Sequence, residues 1–269
     1  MKSIDFEYDG LTLSSFGYII CKFGSDGLET ISNGSQITFN TISTLHGAKH
    51  ELASVEYGDC LESTFQICKN PCNGDIEMTV DDVRELSRWL NRKEFLKFKL
   101  FDNEYLNLYF EASFNISRIE SNGKIVGLEL NMTTNRPFAL QEPRVIVLES
   151  IVENDVKVIN DTSDVEGYIY PHMEITVNQA GDLNIWNKAE IDNSGEERLT
   201  QIKGCEAGEI ITLDYPIIQS TSTTHKIQND FNWNFFRIAN TFRNKKNELT
   251  ISIPCTIKLS YSPIVKISI

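Results

Sequence analysis

The densest group of metal-ligating residue types lies in the first third of the sequence. The segment CKNPC, residues 68–72, forms a C-x3-C, and Cys60, His46 and His50 precede it. Thiolates and imidazoles are the usual ligands of structural zinc sites, which need four of them. The C-x3-C supplies only two, and a turn at Pro71 flanked by half-buried thiols is the simpler interpretation. We therefore predict no metal site.

The cysteine count raises the question of disulfides. The chain contains six cysteines, and an even number is typical of disulfide-bonded secreted proteins. The N-terminal segment MKSIDFEYDG lacks the apolar region of a secretory signal peptide. We expect the chain to fold in a cytoplasm, where thiols stay reduced, and we predict six free cysteines.

Acidic residues are the next type that can carry chemistry. The adjacent pairs Asp81-Asp82 and Glu196-Glu197 would suit a glycosidase only if a cleft held them across a sugar. The first pair falls in the first turn of a predicted helix, where the helix dipole favours acidic residues, and the second falls in the turn-like sequence DNSGEER. The sequence has no P-loop, G-x-S-x-G or H-E-x-x-H motif. We predict no enzymatic activity, no catalytic residue and no cofactor.

Aromatic residues in the second half of the chain suggest a different chemistry. Trp186 and Trp233 can stack on sugar rings, because aromatic faces pack well against apolar ligand faces. Core packing is the commoner role of such residues, including the phenylalanines of the segment FNWNFF. An alternative function therefore stays open, a carbohydrate-binding module or adhesin that uses the second half of the chain.

Charge and hydropathy exclude two classes of partner. The formal net charge is −13, and duplex binding depends on a basic footprint. No apolar run reaches the roughly 20 residues of a membrane helix. We expect no stable nucleic-acid binding and no membrane insertion.

One segment has the pattern of a well-defined helix within a chain that otherwise alternates like strands. In MTVDDVRELSRWLN, residues 78–91, Thr79 can serve as N-cap and Asp82 can close a capping box. Apolar residues then recur at helical spacing and form one stripe. The members of this stripe are Val83, Leu86, Trp89 and Leu90.

The following segment predicts an antiparallel meander for the helix to cover. Apolar and polar residues alternate through residues 95–114 on both sides of a turn near Asn103, and residues 125–134 add a third strand. We predict that Leu86 and Trp89 are buried against this meander. Their predicted partners are Leu96, Phe98, Leu106 and Leu108.

The segment NRPFALQEP, residues 135–143, divides the chain into two predicted domains. Its two prolines disfavour continued pairing in a sheet, so we interpret it as a linker. Beyond it, short strand-like runs separated by Gly, Asn and Asp predict a β-sandwich. The sequence thus predicts a mainly β protein, with an N-terminal antiparallel domain (1–138) covered by one helix and a C-terminal sandwich (139–269).

A polar tract in the first domain, TLHGAKHELASVEYGD, covers residues 44–59. It carries two glycines and has weak periodicity, and we predict a long loop or an extended hairpin. A segment of this length inside a compact domain usually has a function.

The order of these parts resembles that of phage distal tail proteins and the wider phage tail-component family. The first half matches in the opening FEYDGLTLSSFGYII, the polar tract, the helix and hairpin of residues 79–114, and a third strand ending in TTNRPFA. In the second half, residues 231–252 are similar to an F-x-R-x-x-x-G-x-N-x-I-x-I stretch near the end of the family's galectin-like domain. Arg237 and Asn247 fit this pattern, whereas RNKKNELT replaces its usual glycine.

The resemblance implies a structural component of the virion tail tip, assembled in the host cytoplasm. Six copies would form a ring through their N-terminal domains, as a hub between the tail tube and the baseplate or host-recognition apparatus. The C-terminal galectin-like sandwiches would project outward. The implied partners are the tail tube protein and a tail-associated hub protein, lysin or receptor-binding protein.

The resemblance also places an inter-subunit element in the polar tract. We predict that the tract contacts an adjacent copy of the chain. Leu52 and Tyr57 would be its apolar anchors. His46, Lys49 and His50 would form the polar rim.

Overall fold

The computed structural model of the chain describes residues 3–23, 37–44, 47, 49–58, 60–74, 76–191, 195–241 and 244–267. These residues fold mainly into antiparallel strands, which confirms the predicted fold class. The chain divides into two compact units, Met1–Gln141 with Val265–Ile269, and Glu142–Ile264. Each unit has its own hydrophobic core.

The helices and strands are numbered along the chain. The α-helices are α1, Val80–Leu90, and α2, Ile227–Asp230, and the 3-10 helices are Leu13–Phe16, Pro71–Asn73 and Asn103–Tyr105. The first ten strands are β1 Phe6–Tyr8, β2 Leu11–Thr12, β3 Tyr18–Cys21, β4 Ile37–Thr44, β5 Lys49–Tyr57, β6 Glu62–Lys69, β7 Leu96–Leu100, β8 Leu108–Ser121, β9 Lys124–Thr134 and β10 Ala139–Gln141. The others are β11 Arg144–Ser150, β12 Asp155–Asn160, β13 Gly167–Ile169, β14 His172–Val177, β15 Gly181–Ile191, β16 Glu197–Cys205, β17 Ile210–Asp214, β18 Ile217–Ser220, β19 Ile238–Asn240, β20 Lys246–Ile251, β21 Cys255–Tyr261 and β22 Ile264–Val265.

Helix α1 begins at the predicted capping box. The Thr79 hydroxyl accepts a hydrogen bond from the Asp82 backbone N–H at 3.1 Å, and the Asp82 carboxylate accepts one from the Thr79 backbone N–H at 2.7 Å. This reciprocal pair satisfies two backbone donors that have no partner within the helix. Asn91 follows the last helical residue, and its side chain donates to the Phe114 carbonyl at 2.8 Å.

The apolar stripe of α1 is buried, as predicted. Leu86 is fully buried and Trp89 is 8% exposed. The ring of Trp89 stacks on Phe16 and Phe6, with centroids 4.5 and 5.8 Å apart. Its indole N–H donates to the Tyr8 carbonyl at 3.0 Å. The aromatic rings stacked on Trp89 therefore come from the N-terminal segment, a contact that the helical spacing does not predict.

The prediction is wrong for one of the four residues expected to pack against the helix. Phe98 and Leu108 belong to the core that holds Trp89, and Leu96 packs at its edge. Leu106 is 69% exposed. It follows the 3-10 helix Asn103–Tyr105 and precedes β8, so the alternation of the returning strand does not extend to it.

The main sheet of the first unit explains how the N-terminus reaches the helix. Its strand order is β2-β1-β7-β8-β9-β6-β3. Strands β7, β8 and β9 form the predicted meander, with Phe98 opposite Phe110 and Phe114 opposite Met132. Strand β1 pairs with β7, with Phe6 opposite Leu100, and this pairing carries Phe6 into the core beside Trp89.

Part of the predicted linker is a strand. Strand β10 pairs with β8, with Leu140 opposite Tyr109, and also with β22. Ala139 and Leu140 are buried. The two prolines of this segment lie on either side of the strand and leave its ladder intact. The interpretation of residues 135–143 as a linker is therefore wrong for Ala139–Gln141.

The second unit contains the predicted β-sandwich. A five-stranded sheet, β11-β21-β14-β17-β18, and a four-stranded sheet, β12-β20-β15-β16, have antiparallel pairings throughout. Ile175 and Ile257 of the first sheet share one core with Ile185 and Ile251 of the second. Residues at alternate positions of each strand therefore face this core, as expected for two packed sheets.

Candidate interaction surfaces

Within the polar tract, Lys49–Tyr57 is strand β5, one half of a β-hairpin. Strands β4 and β5 pair with each other in a two-stranded sheet of their own. Every residue of β5 is exposed, as are all residues of β4 before Thr44. Five large apolar side chains of the hairpin are between 46% and 62% exposed: Ile37, Phe39, Ile42, Leu52 and Val55. Contiguous exposed apolar surface of this kind marks an interaction site.

A β-bulge gathers most of these side chains on one face of the hairpin. Directly opposed residues of antiparallel strands share a face, and Phe39 lies opposite Val55. The register then shifts by one residue, so that Thr41 lies opposite Leu52. Without this shift Leu52 would point to the other face. We call the following set the apolar hairpin face: Ile37, Phe39, Leu52, Val55 and Tyr57.

The opposite face of the hairpin is more polar. The Asn40 amide donates to the Ser54 hydroxyl at 2.9 Å and to the Glu56 carboxylate at 3.4 Å. Ile42 is exposed on this face, opposite Glu51. The difference between the two faces indicates that the apolar hairpin face is the one suited to burial.

Tyr57 attaches the base of the hairpin to the rest of the first unit. Its ring meets the buried ring of Phe138 edge to face, with centroids 4.8 Å apart. The Lys266 ammonium lies 5.3 Å from the centroid of the Tyr57 ring. The Tyr57 ring thus already packs against its own chain, whereas the side chains of Phe39 and Leu52 are more exposed.

The residues predicted for the subunit interface lie on this hairpin wherever the structure describes them. Lys49, His50 and Leu52 are exposed on β5, and Lys49 forms an ion pair with Glu51 at 2.5 Å. His46 lies outside the described residues. Their contact with a second copy stays a prediction.

Sequence reasoning missed the other half of the apolar hairpin face. Phe39 and Ile37 lie in the run SQITFNTIS, residues 35–43, whose alternation predicts a strand but not one with both faces exposed. No local signal marks the bulge either. The pairing of β4 with the tract could have been inferred from the two alternating runs that flank residues 45–48.

Among the residues that the structure describes, no set of three or more His, Cys, Asp or Glu side chains is placed to hold a metal ion; His46 lies outside them. None of the helices in the described part of the chain is long and apolar enough to cross a membrane. None of the six cysteines forms a disulfide, and Cys60 and Cys72 are exposed. Burial raises the pKa of the Cys205 thiol to about 11 and that of Cys255 to about 12.

The two residues singled out by the C-terminal pattern have structural contacts. Arg237 donates through Nε to the buried Glu190 carboxylate at 2.7 Å, and Arg198 donates to the same oxygen at 3.1 Å. Asn247 is fully buried. Its side chain accepts from the Ala239 N–H at 2.8 Å and donates to the Ala239 carbonyl at 2.9 Å. Both residues therefore tie neighbouring strands of the second unit together.

The two tryptophans considered for sugar stacking have different surroundings. Trp186 is half-buried on β15, opposite Leu199 and Thr250. Trp233 is 56% exposed, in the loop between α2 and β19. The phenylalanines of the segment FNWNFF are buried, so core packing is their role.

The fold defines an antiparallel β protein of two units, and its apolar hairpin face is exposed. Residues 1–136 match the family model described as a phage tail protein N-terminal domain, and residues 138–261 match that of a phage tail C-terminal domain. The chain belongs to this family of phage tail proteins. It is a structural tail component, and the predicted membership of the phage tail-component family is confirmed.

The comparison with solved structures includes a protein of similar fold. The Dit protein of phage SPP1, described as a paradigm of the hub adsorption apparatus in phages that infect Gram-positive bacteria, is 11% identical, with a TM-score of 0.65 over 97% of this chain and 99% of that chain. A chain of the phage P2 baseplate in its activated conformation is 10% identical, with a TM-score of 0.45 over 97% of this chain and 98% of that one. A search of curated proteins gives no significant match.

Proposed function

We propose that the protein forms a hexameric ring at the tail tip, a hub that joins the tail tube to the baseplate or host-recognition apparatus. The apolar hairpin face is the observation that carries this proposal. Its side chains lie on a two-stranded sheet that pairs with no other described strand. An oligomer that covers this face would remove its apolar surface from water.

The hairpin has the anatomy of a subunit-binding arm. Phe39, Leu52 and Val55 are its apolar anchors, and Tyr57 holds its base. Lys49 and His50 lie towards the turn of the hairpin and, with His46, form the proposed polar rim. An apolar centre with a polar rim is the usual organisation of a protein interface.

The remaining parts of the proposal concern the two domains and their partners. The first unit, Met1–Gln141 with Val265–Ile269, forms the ring, and the second unit, Glu142–Ile264, projects as a galectin-like sandwich. They contact the tail tube protein and a hub protein, lysin or receptor-binding protein. Assembly takes place in the host cytoplasm. The role requires no catalytic group or cofactor, and a net charge of −13 suits a channel that passes DNA without binding it.

The test is a pair of variants on opposite faces of the hairpin. Phe39→Ser with Leu52→Ser removes the two most exposed members of the apolar hairpin face, and Ile42→Ser removes an equally exposed residue from the polar face. Mass photometry and negative-stain microscopy then measure the fraction of chains in closed rings.

We expect the double variant to remain monomeric under conditions in which the wild type and Ile42→Ser form six-membered rings. Circular dichroism of the double variant should match that of the wild type, because the altered side chains lie outside both cores. If the double variant forms rings as readily as the wild type, the interface does not lie on the apolar hairpin face, and the strand edges of the first unit become the candidate interface. Wild-type rings with a number of chains other than six would refute the hexamer.

A further inference from the structure

Exposed aromatic rings cluster on the second unit, away from its core. We call this set the aromatic surface: Tyr168, Tyr170, Tyr215 and Trp233. These residues are between 36% and 56% exposed, and they come from three separate segments of the chain. Single exposed aromatic residues are ordinary, but several held together mark an interaction site.

The rings of the aromatic surface support one another. Tyr170 and Tyr215 stack with centroids 4.2 Å apart and planes inclined by 17°. The buried ring of Phe235 contacts both Tyr215 and Trp233, at centroid distances of 5.3 and 6.4 Å. The Arg237 guanidinium lies 3.6 Å from the centroid of Tyr168. The surface is therefore preorganised, which lowers the entropic cost of binding.

Arg237 is a support for these rings rather than a free cation. Its Nε and Nη2 both donate to the Glu190 carboxylate, and its Nη1 donates to the Tyr170 hydroxyl at 3.5 Å. Glu190 is 4% exposed, so this pairing is shielded from water. The guanidinium is committed to internal partners, which argues against an anionic ligand at this surface.

The backbone at Trp233 is unusual for a residue with a side chain. Its φ is +60°, in the left-handed region that favours glycine. Asn232 holds the loop, since its side chain donates to the Leu199 carbonyl at 2.9 Å and accepts from the Asn234 N–H at 3.1 Å. Strained positions of this kind cluster at functional sites.

Two exposed polar residues lie close in the chain to members of the aromatic surface. Asp214 precedes Tyr215 in the chain, and its carboxylate lies 3.7 Å from Nδ1 of His172. Both side chains are largely exposed, and each can exchange hydrogen bonds with hydroxyl groups. A pyranose ring combines an apolar C–H face with a rim of hydroxyls, which suits exposed aromatic rings with a carboxylate and an imidazole close to them in the chain.

We propose that the aromatic surface is a carbohydrate-binding site for neutral pyranose rings, which stack on Tyr215 and Trp233. The site lies within the second unit and does not depend on ring assembly. Trp186 is the less suitable stacking residue, because it is half-buried on β15, whereas Trp233 is 56% exposed.

The test uses the full chain and saturation-transfer difference NMR. The probes are the methyl glycosides of glucose, galactose, N-acetylglucosamine and rhamnose, each at millimolar concentration. We compare the wild type with Trp233→Ala and Tyr215→Ala. Phe101→Ala, an exposed aromatic residue of the first unit, is the matched control, and Trp186→Ala tests the other stacking candidate.

We expect at least one glycoside to be saturated, most strongly at its axial ring protons. Loss of one stacking ring should lower affinity by roughly three- to tenfold in each surface variant, with no change in Phe101→Ala or Trp186→Ala. The thermal unfolding temperature of Trp233→Ala should match that of the wild type, since the Trp233 ring lies outside the core. If Tyr215→Ala folds poorly, Trp233→Ala alone still tests the proposal.

Absence of saturation for all four glycosides would overturn the proposal. So would binding that survives in both surface variants, or binding lost only in Trp186→Ala. If no glycoside binds and the surface variants instead fail to retain another tail protein, the aromatic surface is a protein interface. Any of these results leaves the proposed ring untouched, because the hairpin variants test that separately.

Discussion

Replacement of Trp89 by alanine tests how the first unit is held together. Trp89 is 8% exposed, stacks on Phe16 and Phe6, and donates its indole N–H to the Tyr8 carbonyl. Removing a buried tryptophan from a core costs about 3–5 kcal/mol, and a buried carbonyl that loses its donor adds about 1–3 kcal/mol. We expect Trp89→Ala to lower the free energy of unfolding of the first unit by about 4–8 kcal/mol.

Two further variants separate the contributions. Trp89→Phe keeps an aromatic ring against Phe16 but has no N–H for the Tyr8 carbonyl, so we expect a loss of about 1–3 kcal/mol. Trp233→Ala is the matched control, because this tryptophan is exposed in the other unit. It should change the free energy of unfolding by less than about 0.5 kcal/mol.

The assay is urea unfolding of the full chain, followed by far-UV circular dichroism and hydrogen exchange. Two units can give two transitions, and the hydrogen exchange of α1 amides identifies the transition of the first unit. A loss of less than about 1 kcal/mol in Trp89→Ala would refute the packing argument. So would an equal loss in Trp233→Ala, because the effect would then not depend on burial.

Four other predictions follow from local contacts. Thr79→Ala should destabilise the first unit by about 1 kcal/mol in urea unfolding, because it removes the N-cap acceptor; an unchanged midpoint would contradict this. Burial raises the pKa of Asp82, but hydrogen bonds from Thr79 and a neighbouring ammonium outweigh it and lower the pKa from 3.8 to about 2. Asp82 therefore stabilises the fold at neutral pH, and this stabilisation disappears as the pH falls from about 4 to 2. Acid-unfolding curves of Asp82→Asn should lack this decrease in stability between about pH 4 and 2. Glu190→Ala should cost about 3–5 kcal/mol in unfolding of the second unit, because two arginines lose their shared acceptor; a neutral effect would show that water replaces it. Iodoacetamide without reductant should label the exposed Cys60 quickly and the buried Cys205 only on unfolding, as measured by mass spectrometry, whereas a disulfide within CKNPC or stoichiometric zinc would contradict free thiols.

The features that could be predicted from sequence depend on neighbouring residues. The start of α1 is encoded by Thr79 and Asp82, three positions apart, and its buried side by the spacing of Leu86 and Trp89. Both signals lie within one segment, so no knowledge of the rest of the chain is needed. The meander was predictable for the same reason, since β8 and β9 are joined by a short turn at Asn122.

The features that escaped prediction depend on distant residues. Nothing in the segment around Trp89 indicates that Phe6, more than eighty positions earlier, stacks on it. Phe39 is exposed because no described element covers its face of the hairpin, which depends on how distant parts of the chain fold. Trp233 could not be placed from the segment FNWNFF, because its positive φ turns it outward while the phenylalanines on either side are buried.

The composition of the first unit has a consequence for the timing of synthesis. Val265 and Ile267 pack against the core formed by residues from the first half of the chain. The ribosome must make all of Glu142–Ile264 before it reaches them. That interval contains 264 − 142 + 1 = 123 residues, which is roughly 6–25 s of translation at about 5–20 residues per second. The unit that is begun first is therefore completed last, and the nascent chain carries it unfinished until residue 267 has been made.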